Sequence, residues 1–308
     1  MSLRPVFAQT VTSISNSDSS VVTIVGDISH GIFKELREKH PQRYFNIGIC
    51  EPSMLSVASG LSASGLIPVV HTITPFLIER SYEQIKLGFA YQNLSVNLVS
   101  VGGSFEYSKL GCTHHCYSDY SLLSKLPNTQ VFFPGSPREF EKLFVDNYAN
   151  GMINYFRLTE YPHEVNTPQE ISSGTALTLS TGDDITFFVC GGPSLNRAVA
   201  AVDVLRGQGI RVEVVYFHTL MPFDCKVVVD SAFKTRKFLV IEENHESDGL
   251  YSLILKSIQG EFTFEAIQIA VRDFVRDYGT YNYLTSISGL SVERIVEASK
   301  ELLGGKLQ

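Results

Sequence analysis

Short apolar runs alternate with segments of helical periodicity along the first half of the chain. The run Val21–Val25 is followed by Gly26 and Asp27, a pattern typical of a buried parallel strand that ends in a turn. Because a repeated strand–helix order favours a parallel sheet covered on both faces, the pattern predicts an α/β domain. The predicted strands are 21–25, 44–47, 68–72, 96–101 and 131–133, and the predicted helices are 31–39, 52–64, 77–91, 120–125 and 138–150.

A segment rich in proline, serine, threonine and glycine, about 159–182, precedes a second strand–helix series. Its composition predicts a linker with an edge strand over 176–179. The second series has predicted strands at 185–189, 212–216, 238–241 and 266–270, a helix over 191–206, and a last helix from its N-cap Ser291 to before Gly304. The sequence therefore predicts two tandem, mostly parallel α/β domains, 1–165 and 183–308, joined by a linker at 166–182.

The composition is that of an ordinary globular protein. Of 308 residues, 44% are hydrophobic and 19% are charged, which suits two domains with substantial cores. A net charge of −7 argues against a nucleic-acid-binding protein, since phosphates need a basic surface. No apolar run approaches the roughly 20 residues that span a bilayer, and no secretory signal is expected. Five scattered cysteines give no disulfide framework, so a cytoplasmic location is expected.

The first candidate for chemistry is Glu51, which follows a predicted strand and begins a predicted helix. In α/β proteins ligands bind at the carboxyl ends of the parallel strands, which favours a functional role. A carboxylate at a helix N-terminus also complements the helix dipole without any further function. Glu51 by itself favours the second, structural explanation.

Four ordered motifs around Glu51 resemble the transketolase family. They are Gly48-Ile49-Cys50-Glu51, the small-residue segment 58–68, Arg80-Ser81-Tyr82-Glu83-Gln84-Ile85, and Gly111-Cys112-Thr113-His114-His115 with Asp119 and Leu126-Pro127-Asn128. The resemblance covers most of 20–160 and extends more loosely to the second half. It implies a pyrimidine-binding domain followed by a transketolase C-terminal domain.

The resemblance implies thiamine diphosphate as the cofactor and gives roles to named residues. Glu51 would hydrogen-bond the pyrimidine ring and stabilise the tautomer whose imine activates the thiazolium carbon. Phe76 would stack on the same ring, although a core-packing role stays open for it, and Tyr82 would also contact the cofactor. His114 would be a catalytic histidine close to the substrate.

His114, His115, Asp119 and Arg157 are the predicted substrate-binding residues. Asp119 has two further interpretations, orienting a histidine or capping a helix, and Arg157 is either an anion ligand or part of a structural ion pair. The segment 112–116 contains two cysteines and two histidines, but their spacing is too tight for all four to reach one tetrahedral metal ion. No metal ligand is therefore assigned to this chain.

The chain lacks the Gly-Asp-Gly…Asn motif through which enzymes of this type hold the diphosphate and its Mg²⁺. The resemblance therefore implies a separate transketolase-like N-terminal subunit that supplies the metal ligands. Two copies of each subunit would form a heterotetramer with two cofactor sites, which requires self-association.

Two positions depart from the family's pattern. Leu110 stands where an aspartate would contact sugar hydroxyls, and Glu160 stands where an arginine would bind a sugar phosphate. Exchange between phosphorylated ketoses and aldoses is thus less expected than the motifs alone imply. The predicted function is transfer of a two-carbon ketol or acyl unit between carbonyl compounds. The alternatives are the beta subunit of a 2-oxo acid dehydrogenase and a non-catalytic regulatory or assembly subunit.

Overall fold

The computed structural model describes residues 2–167 and 170–304. Residue 1, residues 168 and 169 of the predicted linker, and residues 305–308 of the predicted second domain lie outside the described residues. The strands are β1 (Val21–Val25), β2 (Tyr44–Asn46), β3 (Ile67–Ile73), β4 (Val96–Val101), β5 (Thr129–Phe132), β6 (Ile153–Leu158), β7 (Leu177–Ser180), β8 (Ile185–Cys190), β9 (Val212–Phe217), β10 (Thr219–Met221), β11 (Lys237–His245) and β12 (Glu265–Val271).

Helices cover both sheets. They are α1 (Leu3–Ser17), α2 (Lys34–Lys39), α3 (Glu51–Ala63), α4 (Thr74–Leu77), α5 (Tyr82–Ile85), α6 (Asp119–Leu123), α7 (Pro137–Asn147), α8 (Gly192–Arg206), α9 (Cys225–Thr235), α10 (Leu250–Ile258), α11 (Tyr281–Ile287) and α12 (Val292–Leu302). Short 3₁₀ turns cover His30–Phe33, Pro41–Arg43 and Ser108–Leu110, and a π-helix covers Lys86–Ala90.

The first sheet has seven strands in the order β10-β5-β6-β4-β3-β1-β2. All neighbours pair in parallel except β10, which runs antiparallel to β5. The second sheet has the order β12-β11-β8-β9-β7 and is parallel apart from the edge strand β7. The predicted α/β class with two mostly parallel sheets is confirmed. Strand β10 comes from the second half of the chain, so the two halves share one sheet.

The apolar core lies in layers on the faces of the two sheets. One layer joins α1 and α7 to the first sheet through Phe7, Phe140 and Phe144. A second layer contains apolar side chains of both sheets together with side chains of α3, α9 and α10. The third packs α8 and α12 on the second sheet and also takes in Phe105 from the first half. Apolar packing thus crosses between the domains as well as filling each one.

Several elements differ from the sequence prediction, and α9, α10 and α11 are among those that were not predicted. Helix α1 was not predicted, although Leu3, Phe7, Val11 and Ile14 recur at helical spacing, because serine and threonine weaken helix propensity there. Strands β6 and β10 were also not predicted. The predicted helix 77–91 is instead two single-turn helices, α4 and α5, followed by the π-helix. The predicted edge strand and the Ser291 cap, which accepts from the Arg294 N–H, are observed.

Truncation of Phe7 should destabilise the protein through the α1 layer. Its buried ring contacts Phe33, His71 and Phe140 with centroid separations of 5.2, 4.9 and 5.7 Å. We expect Phe7→Ala to lower the free energy of unfolding by about 3–5 kcal/mol, because the cavity cannot close fully. Denaturant unfolding measures this. Val204→Ala, at an exposed position on α8, should leave the midpoint nearly unchanged, and equal midpoints for all three proteins would contradict the role of Phe7.

Candidate functional site

Several predicted site residues lie at the carboxyl edge of the first sheet. Glu51 begins α3 after β2, Phe76 lies in α4 directly after β3, and His114 lies in the loop after β4. Because β1 to β4 are mutually parallel, their carboxyl ends share one edge of the sheet. The fold therefore collects residues that are up to 63 positions apart (114 − 51).

Glu51 is a buried carboxylate that carries one cationic partner. Its side chain is 2% exposed, and Arg80 Nη1 donates to its Oε2 at 2.8 Å. Pro52 fits the first turn of α3, where its missing N–H leaves no intrahelical bond unmade. The helix N-terminus and Arg80 together offset the loss of hydration of the charge.

Three side chains form a stack beside Glu51. The guanidinium of Arg80 lies 4.0 Å from the centroid of the Phe76 ring, and the His114 ring meets the Phe76 ring edge-on at a centroid distance of 5.0 Å. Burial and the charge of Arg80 lower the pKa of His114, so its imidazole is neutral at pH 7. The Thr113 hydroxyl lies 2.9 Å from its Nδ1 and orients the ring. Arg80 thus binds Glu51, stacks on Phe76 and acts on His114 through its charge. This role of Arg80 was not predicted from the sequence.

Tyr82 lies at the start of α5, two residues after Arg80, and is half-buried against the core layer beneath α3. Its predicted contact with the cofactor stays a prediction. The His115 ring is buried edge-on against Phe105 at 5.3 Å, and Phe105 belongs to the core layer of the second sheet. Burial lowers the pKa of His115. Its predicted role as a substrate ligand also stays a prediction.

Asp119 and Arg157 form a buried ion pair at the junction of the two domains. Arg157 Nη1 lies 3.1 Å from Asp119 Oδ1, and their side chains are 10% and 0% exposed, respectively. The Tyr155 hydroxyl donates to Asp119 at 2.6 Å, and Arg157 also donates to Asn244 Oδ1 of β11 at 3.1 Å. The guanidinium stacks 3.6 Å from the Phe133 ring centroid. Of the interpretations left open for Arg157, the ion pair is observed, while contact of either residue with substrate stays a prediction.

Two acidic residues that were not predicted as site residues hold the histidine loop, which is the segment 102–118 between β4 and α6. Glu79 accepts from the Ser118 hydroxyl and from Cys116 Sγ, and burial raises its pKa. Glu106 accepts from the Thr159 hydroxyl and the Glu160 N–H, and burial raises its pKa to about 8. Neither lies in a recognisable motif, so only the three-dimensional contacts reveal them.

A hydrogen-bonded chain from Arg4 runs beneath the same sheet edge. Arg4 Nη2 and Nε donate to Ser29 Oγ at 2.8 and 3.2 Å, and Ser29 Oγ lies 2.8 Å from His71 Nε2. His71 Nδ1 lies 2.7 Å from the Val99 carbonyl, which can only accept, so Nδ1 carries the proton and Nε2 accepts from Ser29. Burial lowers the pKa of His71 to about 4. At its outer end Arg4 pairs with Glu160 at 3.5 Å.

Cys112 is exposed, whereas Cys116 and His115 are buried in different surroundings. Within 2–167 and 170–304, no group of three or more His, Cys, Asp or Glu side chains is arranged to hold a metal ion. The described helices include none that is long and apolar enough to cross a membrane.

Comparison with protein families identifies the class of the chain. Residues 1–160 match the transketolase pyrimidine binding domain, and residues 174–295 match the transketolase C-terminal domain. The chain therefore belongs to the transketolase family, whose members use thiamine diphosphate.

Individual relatives place it within that family. It is 29% identical over 303 residues to the 6-deoxy-6-sulfo-D-fructose transketolase subunit SqwH of Clostridium sp. (strain MSTE9), covering 97% of this chain and 94% of that one. It is 28% identical over 252 residues to an apulose-4-phosphate transketolase subunit of Actinobacillus succinogenes, with 80% of each chain covered. The 1-deoxy-D-xylulose-5-phosphate synthase of Syntrophotalea carbinolica is 28% identical, but only 48% of its length is covered.

Solved structures agree with this placement. A split gene transketolase, described as an inactive beta4 tetramer, superposes with a TM-score of 0.85 at 26% identity, covering 100% of this chain and 99% of that one. The transketolase of Campylobacter jejuni shares the fold at a TM-score of 0.78 and 17% identity, with 46% of its chain covered. The chain corresponds to the C-terminal subunit of a split transketolase, as the motifs predicted.

Neutralising Asp119 should destabilise the domain junction. We expect Asp119→Asn to lower the free energy of unfolding by about 3–5 kcal/mol, because Arg157 is left as an uncompensated buried charge. Denaturant unfolding of the variant checks this. Asp146→Asn is the matched control, since it removes only an exposed ion pair with Lys142 and should leave the midpoint nearly unchanged. A similar small effect for both variants would contradict the role assigned to Asp119.

His71 should make folding stability fall with acidification. Its pKa is about 4 in the folded chain and 6.5 when unperturbed, so the unfolded chain binds more protons between these values. The contribution of neutral His71 is complete above pH 6.5 and is lost as pH falls towards 4, by about 3 kcal/mol in total. Unfolding midpoints measured at several pH values should fall less steeply for His71→Gln than for the wild type. Parallel profiles would show that His71 does not titrate in this way.

Proposed function

We propose that this chain contributes one half of a thiamine diphosphate site to a two-subunit transketolase that transfers a two-carbon unit between carbonyl compounds. The observation that carries the proposal is the buried carboxylate of Glu51 at the start of α3, next to Phe76 and His114 at the carboxyl edge of the sheet. A carboxylate, an aromatic face and a neutral imidazole suit the pyrimidine ring and a carbonyl substrate.

The residues present fit the cofactor. Bound thiamine diphosphate supplies a thiazolium carbon that attacks carbonyl groups. Glu51 would hold a proton at the pyrimidine ring nitrogen from its position at the start of α3. Phe76 would present its ring to the pyrimidine. His114, neutral at pH 7 because of burial and Arg80, would accept or donate a proton at the substrate oxygen.

The second half of the site would come from an N-terminal subunit of transketolase type. The sequence has no Gly-Asp-Gly…Asn motif, so Mg²⁺ and the diphosphate would be held by that subunit. Apolar side chains are exposed just before α3, on α3 and along the π-helix that contacts it, which suits a large protein interface. Ile49, Val57, Leu87 and Tyr91 are 68%, 46%, 48% and 79% exposed. Pairing of two such half-sites would give a heterotetramer. The five cysteines are free, in keeping with a reducing cytoplasm.

Cofactor binding should require the partner. Calorimetric titration of thiamine diphosphate and Mg²⁺ should show saturable binding to the mixed subunits and none to this chain alone. A complex verified by gel filtration that binds no cofactor would favour a non-catalytic subunit instead.

Glu51 should be essential in the reconstituted complex. We expect Glu51→Gln to lower kcat by about 10²–10⁴-fold, the range for loss of a proton-transferring group, with an unchanged unfolding midpoint. Glu83→Gln is the matched control, because Glu83 is an exposed carboxylate in the neighbouring motif and should leave kcat unchanged. Steady-state assays of both variants measure these effects on kcat. Full turnover by Glu51→Gln would exclude the mechanism.

A further inference from the structure

A small cavity lies at the junction of the two domains. Its wall comes from the loop after β4, from Phe133 and Pro134 after β5, from Arg157 of β6, and from the start of α8 and Glu243 of the second domain. The volume of the cavity is about 20 Å³. One water molecule needs about 10–15 Å³, whereas small-molecule ligands occupy pockets that are far larger. The cavity therefore suits a water molecule or a monoatomic ion and excludes a sugar or a cofactor.

Ser104 brings an unpaired hydroxyl group to this cavity. The residue is 1% exposed and lines the cavity, and its Oγ has no hydrogen-bond partner among the described residues. The backbone of Ser104 is held in place, because its N–H and its carbonyl both pair with Cys116. A buried hydroxyl without a partner has lost the hydrogen bonds that it makes to water in the unfolded chain, which is unfavourable. Ser104 therefore requires a partner that the described side chains and backbone do not supply.

Further hydrogen-bond donors line the same cavity. Within the described part of the chain, every side-chain hydrogen bond of Arg157 uses Nη1, so Nε and Nη2 keep free N–H groups. Gly192 and Ser194 belong to the first turn of α8, which no side chain caps. Because the first N–H groups of a helix have no acceptor within the helix, those of Gly192 and Ser194 need an acceptor from outside it. An occupant of the cavity must therefore be able to accept hydrogen bonds.

The charged groups in the wall of the cavity are already neutralised. Arg157 pairs with Asp119, and Glu243 pairs with Arg197. Glu106 is mostly protonated at neutral pH, since burial raises its pKa to about 8. A monoatomic ion of either sign would therefore stay without a countercharge in a buried position, which is strongly unfavourable. A water molecule carries no net charge, and it both accepts and donates hydrogen bonds.

We propose that this cavity is a binding site for one ordered water molecule, held by the Ser104 hydroxyl, the Arg157 guanidinium and the N-terminus of α8. Glu243 Oε2, which has no partner among the residues described, accepts a hydrogen bond from the same water, since Arg197 and Tyr281 bind Oε1. The water joins the loop after β4 to the second domain and adds to the direct bond between Arg157 and Asn244. No substrate or cofactor takes part, so the site is independent of the proposed function.

A high-resolution crystal structure of the full chain tests the site directly. We expect a well-ordered water peak within hydrogen-bond distance of Ser104 Oγ and Arg157, and a map without a peak there would overturn the proposal. Crystals soaked in sodium bromide distinguish a water site from an anion site, because bromide scatters anomalously. We expect no anomalous peak in the cavity, and the presence of one would identify a halide site instead.

Substitutions at Ser104 test its part in holding the water. Ser104→Ala removes the hydroxyl, so the water peak should lose most of its density. Ser104→Asn suits the backbone φ of 50° at this position and brings an amide group that should take the place of the water. Ser299→Ala is the matched control, because Ser299 is also fully buried but donates to the Ile295 carbonyl within α12, away from the cavity.

Oxygen-17 relaxation dispersion of the same proteins counts long-lived internal water molecules in solution. We expect one fewer in Ser104→Asn than in the wild type, and no change in Ser299→Ala. An equally ordered water in Ser104→Ala, or the same count in Ser104→Asn as in the wild type, would overturn the assignment of Ser104.

Discussion

The buried ion pair between Asp119 and Arg157 is the constraint on which the arrangement of the site depends. Asp119 begins the helix after the histidine loop, and Arg157 comes from β6, an interior strand of the first sheet. Burial by itself would lower the pKa of Arg157, but Asp119 more than offsets that effect and raises it, so the guanidinium stays charged in the interior. Through Asn244 the same guanidinium reaches the second domain. Arg157, which belongs to the first sheet, therefore binds both the residue that follows the histidine loop and a residue of the second domain.

Local backbone geometry is adapted to that cation. A Cβ atom at Gly103 would lie 2.4 Å from Arg157 Cδ, so only glycine lets the arginine pass beside the loop after β4. The Phe133 ring covers the guanidinium on another side and replaces water with a π face. Gly103 and Asp119, at the two ends of the loop that carries His114, therefore both lie against Arg157.

A second polar cluster, centred on Glu139 of α7, joins the domains farther from the site. Its carboxylate accepts from the Gly135 N–H, from His163 Nε2 and from the Tyr216 hydroxyl at 2.7, 2.7 and 3.0 Å. Burial alone would raise the pKa of Glu139, but the bonds from His163 and Gly135 lower it below its ordinary value. Strand β10, which completes the first sheet, adds backbone pairing at the same junction. Side-chain and backbone hydrogen bonds therefore both join the two domains.

The sequence alone determined the α/β class, the order of most strands and the family, because these follow from periodicity and from motifs that are contiguous in the chain. It also selected Glu51, Phe76 and His114, which the fold brings together at one edge. The exact extents of the domains and the cofactor and substrate contacts of Tyr82, His115, Asp119 and Arg157 remain predictions.

Only the tertiary structure revealed the packing of α1 through Phe7 and the pairing of β10, from the second half of the chain, with β5 of the first sheet. It also revealed the partners of Arg80, Glu79, Glu106 and Arg4. Those contacts join residues up to 156 positions apart, as in Arg4 with Glu160. Charge pairing and burial at such separations arise from the packing of the sheets, which no local pattern of residues encodes.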